Sequence, residues 1–280
     1  MTSRALRIAK RIYRGTHSLR LRQLYFNLFL RVARGRRRIV TREELTFELD
    51  LGEMIDVGLY VEEYEREVAA AIDRLCQPGW CAVDVGANVG GHTLRLAKRV
   101  GPTGSVYAFE PTHYAYRKLL RNLSLNTFTN VHAYQIALSD TDDVGRDVAI
   151  RSSWRSDGVR TETPEKVVFE RLDRWCLEND VVSIQLMKVD VDGREFEVLS
   201  GGARLLAGSR PVLLMEAGSY HFKSPERNPF LLLERMGYRF SDAKSGAGFG
   251  SVRALGEALS SDRAAGIDSR NVIARWAEPA

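Results

Sequence analysis

The chain has 280 residues, 44% of them hydrophobic, which suits one large domain or two small ones with an ample core. Its three cysteines, Cys76, Cys81 and Cys176, are odd in number and lack metal-ligand spacing, which argues against a disulfide framework and for a reducing, cytoplasmic compartment. The net charge of +5 hides an asymmetry: residues 1–40 hold twelve Lys/Arg and no Asp/Glu, while the remaining 240 hold 29 basic and 36 acidic residues.

The chain thus divides into a basic arm, residues 1–40, and an acidic body, residues 41–280. No run approaches the roughly 20 apolar residues of a membrane span, and the N-terminus has no signal-peptide apolar core. Residues 4–34 read as helical, with Leu24, Tyr25, Phe26, Leu28 and Phe29 set among arginines. Such a segment suits packing on the chain's own domain, peripheral contact through residues 1–38 with an anionic inner-membrane surface, or, less well beside an acidic body, nucleic acid.

Residues 45–61 read as short strands and turns, since Phe47, Leu49 and Leu51 alternate with acids. Glu62 to Cys76 is amphipathic, with Tyr64, Val68, Ile72 and Leu75 on one helical face. Ala82, Val83 and Val85 predict a buried strand carrying Asp84 near its end; Gly86 to Gly90 makes a turn, and Thr93 to Val100 a helix. A second strand, Val106 to Phe109, runs into Glu110, twenty residues past Gly90. An acid at that spacing after a glycine turn takes ribose hydroxyls in dinucleotide-binding proteins. A diphosphate binder, however, wants glycine where this chain has Asn88, and Asp84 suits a cationic ligand better. The pattern resembles the S-adenosylmethionine site of Rossmann-type methyltransferases.

Pro111-Thr112 opens a helix whose expected buried stripe is Tyr116, Leu119, Leu120 and Leu123. Val131 to Ala137 predicts a strand, and Asp140 beyond it is a candidate either for an adenine amino group or for a plain turn. Residues 141–165 read as polar and turn-rich, with one short strand at 148–151, before strand-like Val167 to Leu172. Ser183 to Val189 is the most apolar strand and is followed by Asp190-Val-Asp192-Gly193; Pro211 to Met215 is another strand, closed by Glu216. Asn228-Pro229 caps a helix, Tyr238 to Phe240 and Asn271 to Trp276 are the last strands, and the loop from Ser245 to Gly250 is a candidate lid. Alternating strands and helices predict an α/β fold, a mostly parallel sheet with helices on both faces. The strand-end acids Asp84, Glu110, Asp140, Asp190 and Glu216 should then converge on one rim.

With these residues in place, the chain resembles the FkbM family of S-adenosylmethionine-dependent methyltransferases. The matching pieces are Tyr64-Glu65, Val83 to Gly90, Val106 to Pro111, Leu120-Arg-Asn122 with Asn126, Ala137 to Asp140, Leu172-Asp173, Met187 to Leu199 and Pro211 to Glu216. The resemblance covers roughly residues 45–276. The family usually has Glu where this chain has Asp192. The resemblance implies a Rossmann-like class I methyltransferase fold, with S-adenosylmethionine held around Asp84, Gly86, Asn88, Gly90, Glu110 and Asp140. It also implies methyl transfer, usually to a hydroxyl of a small-molecule, glycan or lipid-linked acceptor. Candidate bases are Asp190, Asp192, Glu216 and His221, the last with a near-neutral intrinsic pKa. Lys188 is read as pairing with one of the carboxylates. A divalent metal on Asp190, Asp192 and Glu216 is conceivable chemically, but no ligand spacing predicts one. The competing readings are an RNA-directed methyltransferase using the basic arm and a cofactor-binding protein without catalysis.

Overall fold

In a computed structural model of the chain, the structure describes residue 35 and residues 37–151 and 162–277. The arm expected to be helical over 4–34 lies outside the described residues. A hairpin opens the described chain: β1 (Arg37–Arg42) pairs antiparallel with β2 (Leu45–Asp50). The boundary expected at residue 40 therefore falls inside a strand. In β2 the alternation holds, with Leu45, Phe47 and Leu49 buried. Residues 54–61, expected as strands and turns, instead form helix α1 (Met54–Val61), which buries Val57, Tyr60 and Val61.

The amphipathic stretch becomes α2 (Arg66–Leu75). The alternating core follows as β3 (Cys81–Val85), α3 (Gly91–Val100), β4 (Ser105–Phe109), α4 (His113–Ser124) and β5 (Val131–Tyr134). The buried side of α4 is Ala115, Leu119 and Asn122, whereas Leu120 is exposed. Asn122 is buried because it works as a staple: its Oδ1 accepts from the Glu48 N–H at 2.8 Å and its Nδ2 donates to the Val89 carbonyl at 2.7 Å. Asn126 likewise holds both backbone groups of Thr46, so the hairpin is tied to α4 and to the glycine turn.

The expected strand 131–137 is interrupted, because β6 (Ala137–Leu138) leaves the main sheet to join a second one. That sheet is completed by β7 (Asp143–Arg151) and β8 (Glu162–Glu170), a long antiparallel pair where mostly turns were expected. Then come α5 (Leu172–Glu178), β9 (Leu186–Val189), α6 (Glu195–Gly201), α7 (Ala203–Ser209) and β10 (Val212–Gly218). Two short 3₁₀ turns, Ser219–Phe222 and Pro225–Arg227, precede α8 (Pro229–Arg235). Asn228 caps α8 as expected, its side chain accepting from the N–H groups of Phe230 and Leu231. The chain closes with β11 (Tyr238–Asp242), β12 (Gly248–Phe249), α9 (Val252–Ala264) and β13 (Ser269–Trp276).

The main sheet has the order β12-β11-β13-β10-β9-β3-β4-β5. Strands β5, β4, β3, β9 and β10 are mutually parallel, and β13 runs antiparallel between β10 and β11. Successive strands step outward from β3 through β4 to β5; the chain then returns to the other side of β3 as β9. The switch point thus lies between β3 and β9, where the carboxyl ends of the strands leave a crevice. The two largest core clusters lie on the two sides of the sheet: Phe109, Trp175, Met187 and Phe230 belong to one, and Ile72, Leu96, Val106 and Leu186 to the other. The loop expected as a lid is instead pinned at the sheet's far edge: Asp242 accepts from the Ser245 N–H and hydroxyl, and β12 pairs with β11. Among the described residues no helix is long and apolar enough to cross a membrane.

Candidate active site

A cavity of about 920 Å³ opens at the switch point, within the size range of sites for small ligands. Its lining comes from the glycine turn after β3, the exit of β4, β6 and its flanks, Val148 of β7 and Phe169 of β8, the loop after β9, Glu216 of β10, and Met54, Ile55, Tyr64 and Glu65.

Gly86 begins the turn at φ +77°, and a Cβ there would collide with the carbonyl oxygen of Asp190. Glycine is therefore what lets the loops after β3 and β9 touch. The N–H groups of Gly86 and Ala87 both donate to the Phe109 carbonyl at 3.0 Å. Asn88 follows at φ +49° and donates its N–H to Glu110 Oε2 at 2.9 Å. The other Glu110 oxygen accepts from the Thr112 N–H at 2.9 Å and the Thr112 hydroxyl at 2.6 Å. Burial pushes the Glu110 carboxyl up, and these hydrogen bonds from Thr112 and Asn88, together with the charge of Lys188, only partly offset it. Beyond Glu110 the wall is apolar: Phe109, Pro111, Ile136, Leu138 and Phe169.

Asp84 lies beneath the cavity and is fully buried. Its Oδ2 accepts from the Thr93 hydroxyl at 2.6 Å, and its Oδ1 sits 3.3 Å from Lys188 Nζ. Lys188, which does pair with carboxylates, also lies 3.5 Å from Asp190 Oδ2 and donates to the Gly86 carbonyl at 2.9 Å. Burial works against its ammonium, but Asp84, Asp190 and Glu65 outweigh that and hold its pKa above the ordinary lysine range. Asp190 is the first residue past β9, its N–H donating to the Val85 carbonyl. Burial, opposed by Lys188 and helped by the charges of Glu65, Glu216 and Asp192, raises its pKa to about 6.

Glu216 lines the cavity from within β10, which runs two residues further than expected. Both its oxygens are engaged, one by the Tyr220 hydroxyl at 2.8 Å and one by the Ser269 hydroxyl at 2.5 Å. His221 stands behind this layer and is buried. Its Nε2 meets Glu195 Oε2 at 2.6 Å, and its Nδ1 accepts from the Gly218 N–H at 3.1 Å. With both ring nitrogens committed to the framework, it has none left for an acceptor.

Of the five acids expected on one rim, Glu110, Asp190 and Glu216 line the cavity beside Gly86 and Asn88, whereas Asp84 lies one layer below and Asp140 is not in the lining; Gly90, at φ +89°, leads into α3. Asp140 lies just past the lining residue Ser139; its nearest charged partner is Arg227 at 3.9 Å. Sequence reasoning gave no role to Thr93, Thr112, His92 or Glu195. Thr112 was discoverable as a hydroxyl two residues past the strand-end acid Glu110; nothing in the linear order announces the other three. Among the described residues no group of three or more His, Cys, Asp and Glu side chains is arranged to hold a metal ion.

A parallel sheet reversing at β3/β9, an antiparallel strand inserted beside β10, and acids gathered at the switch point define a Rossmann-like methyltransferase. The chain belongs to the FkbM methyltransferase family, whose domain model matches residues 84–240. It is similar to the 2-O-methyltransferase NoeI of Sinorhizobium fredii, 25% identical over 164 residues that cover 52% of this chain and 65% of that protein. It is also similar to Methyltransferase 1 of Beauveria bassiana, 28% identical over 142 residues, covering 42% and 57%. The chain spans less than two thirds of the length of either relative. Among solved structures, a methyltransferase FkbM from Methylobacillus flagellatus KT superposes with a TM-score of 0.43 at 13% identity, over 77% of this chain and 52% of that one.

Proposed function

We propose that the protein is an S-adenosylmethionine-dependent O-methyltransferase acting on a hydroxyl of a sugar, glycolipid or natural-product acceptor. The observation that carries this reading is Asp190, a cavity-lining carboxylate whose pKa of about 6 suits a general base near neutral pH.

The cavity fits the cofactor chemically. S-Adenosylmethionine is cationic at sulfur and at its ammonium. The lining offers Glu65, Glu110, Asp190, Asp192 and Glu216 against a single arginine, Arg194, a balance that favours cations and would repel a diphosphate. Glu110 Oε2 uses one acceptor position on Asn88 and has capacity left for ribose hydroxyls. The apolar wall suits an adenine ring. When bound, the cofactor supplies a methyl group on a sulfonium, which departs as a neutral thioether.

The chain's own residues do the rest. Asp190 accepts the proton that the acceptor hydroxyl gives up as its oxygen bonds to the methyl carbon. Lys188 holds Asp190 in place and balances the charge of Asp84 below. Glu216, fixed by Tyr220 and Ser269, orients the acceptor. His221 positions the loops rather than taking a proton. The name of the 2-O-methyltransferase relative supports oxygen as the acceptor atom. The test is incubation with S-adenosylmethionine carrying a labelled methyl and a panel of glycans, glycolipids and polyketide alcohols, with mass spectrometry of the products. Label on carbon or nitrogen, or transfer to RNA in preference to every hydroxyl acceptor, would overturn the reading.

A further inference from the structure

Glu65 is held at the cavity by more structure than a surface helix start needs. It is the N-cap of α2, yet its backbone is left-handed, at φ +35° and ψ 54°. A non-glycine residue there stores strain of order 1 kcal/mol or more, and such residues gather at functional sites. The neighbouring Tyr64 ring stacks on His92, with centroids 5.1 Å apart. It lies against Gly91, where an added Cβ would stand 3.0 Å from Tyr64 Cε1. A side chain at Gly91 would crowd that ring. The Glu65 carboxylate itself is gripped on one oxygen: Oε2 lies 2.6 Å from Nε2 of His92, which is 4% exposed. Oε1 hydrogen-bonds no described residue, and the side chain lines the cavity. Burial would push this carboxyl up, but the hydrogen bond and charge of His92, with Lys188, hold it below its usual range. It is an anion at neutral pH.

The other four acids of the lining, Glu110, Asp190, Asp192 and Glu216, already have partners or roles in the cofactor reading. Glu110 accepts three hydrogen bonds. Asp190 is set against Lys188 and Glu216 is held by two hydroxyls. A ribose on Glu110 with its adenine along the apolar wall leaves the amino-acid arm of the cofactor to run toward Gly86, Tyr64 and Glu65. We infer that Glu65, positioned by His92, is the group that recognises the α-ammonium of the cofactor's methionine moiety. The inference rests on the cofactor reading above and extends it to a residue not in the glycine-turn fingerprint.

The ammonium is absent from 5′-methylthioadenosine and present in S-adenosylhomocysteine, so the two ligands separate this role from a structural one. Calorimetric titration of the full chain should show Glu65→Gln losing about tenfold or more in affinity for S-adenosylhomocysteine, as expected for a hydrogen bond to a charged group. Affinity for 5′-methylthioadenosine should stay within about twofold. His92→Ala should weaken S-adenosylhomocysteine selectively and by less, and His92→Gln, which restores a donor toward Glu65, should recover most of the loss. These two variants carry the test if Glu65→Gln does not fold. Equal loss for both ligands would make Glu65 a structural residue, and no loss for either would place the ammonium elsewhere; each overturns the inference. Wild-type protein that bound neither ligand would instead overturn the cofactor reading itself.

Discussion

Replacing Asp190 by Asn separates the chemistry of the site from its electrostatics, because the two respond in opposite directions. Asn keeps the shape and hydrogen-bonding capacity but cannot take a proton. Turnover should fall at least about a hundredfold, with S-adenosylhomocysteine affinity nearly unchanged. In the wild type, kcat/KM should rise with pH along a limb of apparent pKa about 6. Stability moves the other way. The folded carboxyl sits at about 6 against an ordinary 3.8, chiefly through burial. Its folded pKa is thus above its unfolded one, so the stability it contributes is intact below about pH 4 and is lost as pH climbs through 6. That displacement corresponds to at most about 3 kcal/mol. With 27% of the side chain reached by solvent, about 1–2 kcal/mol is the expectation after allowing for screening. Urea denaturation at several pH values reads it directly: the variant should match the wild type below about pH 4 and exceed it by that amount at pH 8. A variant with near-normal turnover would remove Asp190 from the chemistry. A variant less stable than wild type at pH 8 would refute the raised pKa.

Lys188→Met should destabilise the fold by about 3–5 kcal/mol by denaturant titration, because it leaves Asp84 charged and buried without its partner. Glu110→Ala should weaken S-adenosylhomocysteine binding by about 1.5–3 kcal/mol and strand the Asn88 N–H; calorimetry measures it, and an unchanged affinity would take the ribose away from Glu110. Removing residues 1–34, which stops short of β1, should abolish sedimentation with anionic vesicles while leaving cofactor affinity intact. Aggregation of the shortened chain would show that the arm packs on the domain.

The sheet was legible in the sequence wherever burial is continuous. Val83, Val106, Met187 and Leu214 sit in apolar runs short enough to be strands, and the intervening helices show their period. The acids at the strand ends followed from the same reading, because a carboxylate closing a buried strand has few places to go except the crevice. What escaped notice was either balanced in composition or made through space. The β7–β8 pair alternates charged and apolar residues too weakly to stand out from a polar loop. Helix α9 carried an ordinary signal, a Ser251 cap followed by Val252, Leu255 and Leu259. The commitment of His221 to Glu195, 26 residues earlier, and of Glu65 to His92, 27 residues later, depends on which loops the sheet brings together.

Those through-space links explain how a cavity built from loops can hold its acids at fixed separations. Glu195 Oε1 accepts from the N–H groups of Val191 and Gly193 at 3.1 and 3.3 Å, while its Oε2 takes His221. Burial would push this carboxyl up, yet the hydrogen bond and charge of His221 and the backbone N–H groups hold it below its usual range. His221 in turn receives the Gly218 N–H, two residues past Glu216. One buried carboxylate therefore clamps the loop after β9 and, through an imidazole, the exit of β10. It also holds Asp192 and Gly193 in their left-handed conformations, at φ +52° and +95°. Asp190 and Glu216 hang from the two clamped segments, so their spacing is set before any acceptor arrives. A site fixed by buried partners pays little reorganisation at the moment of reaction. A histidine that exchanges no proton with substrate can for that reason matter to turnover as much as one that does.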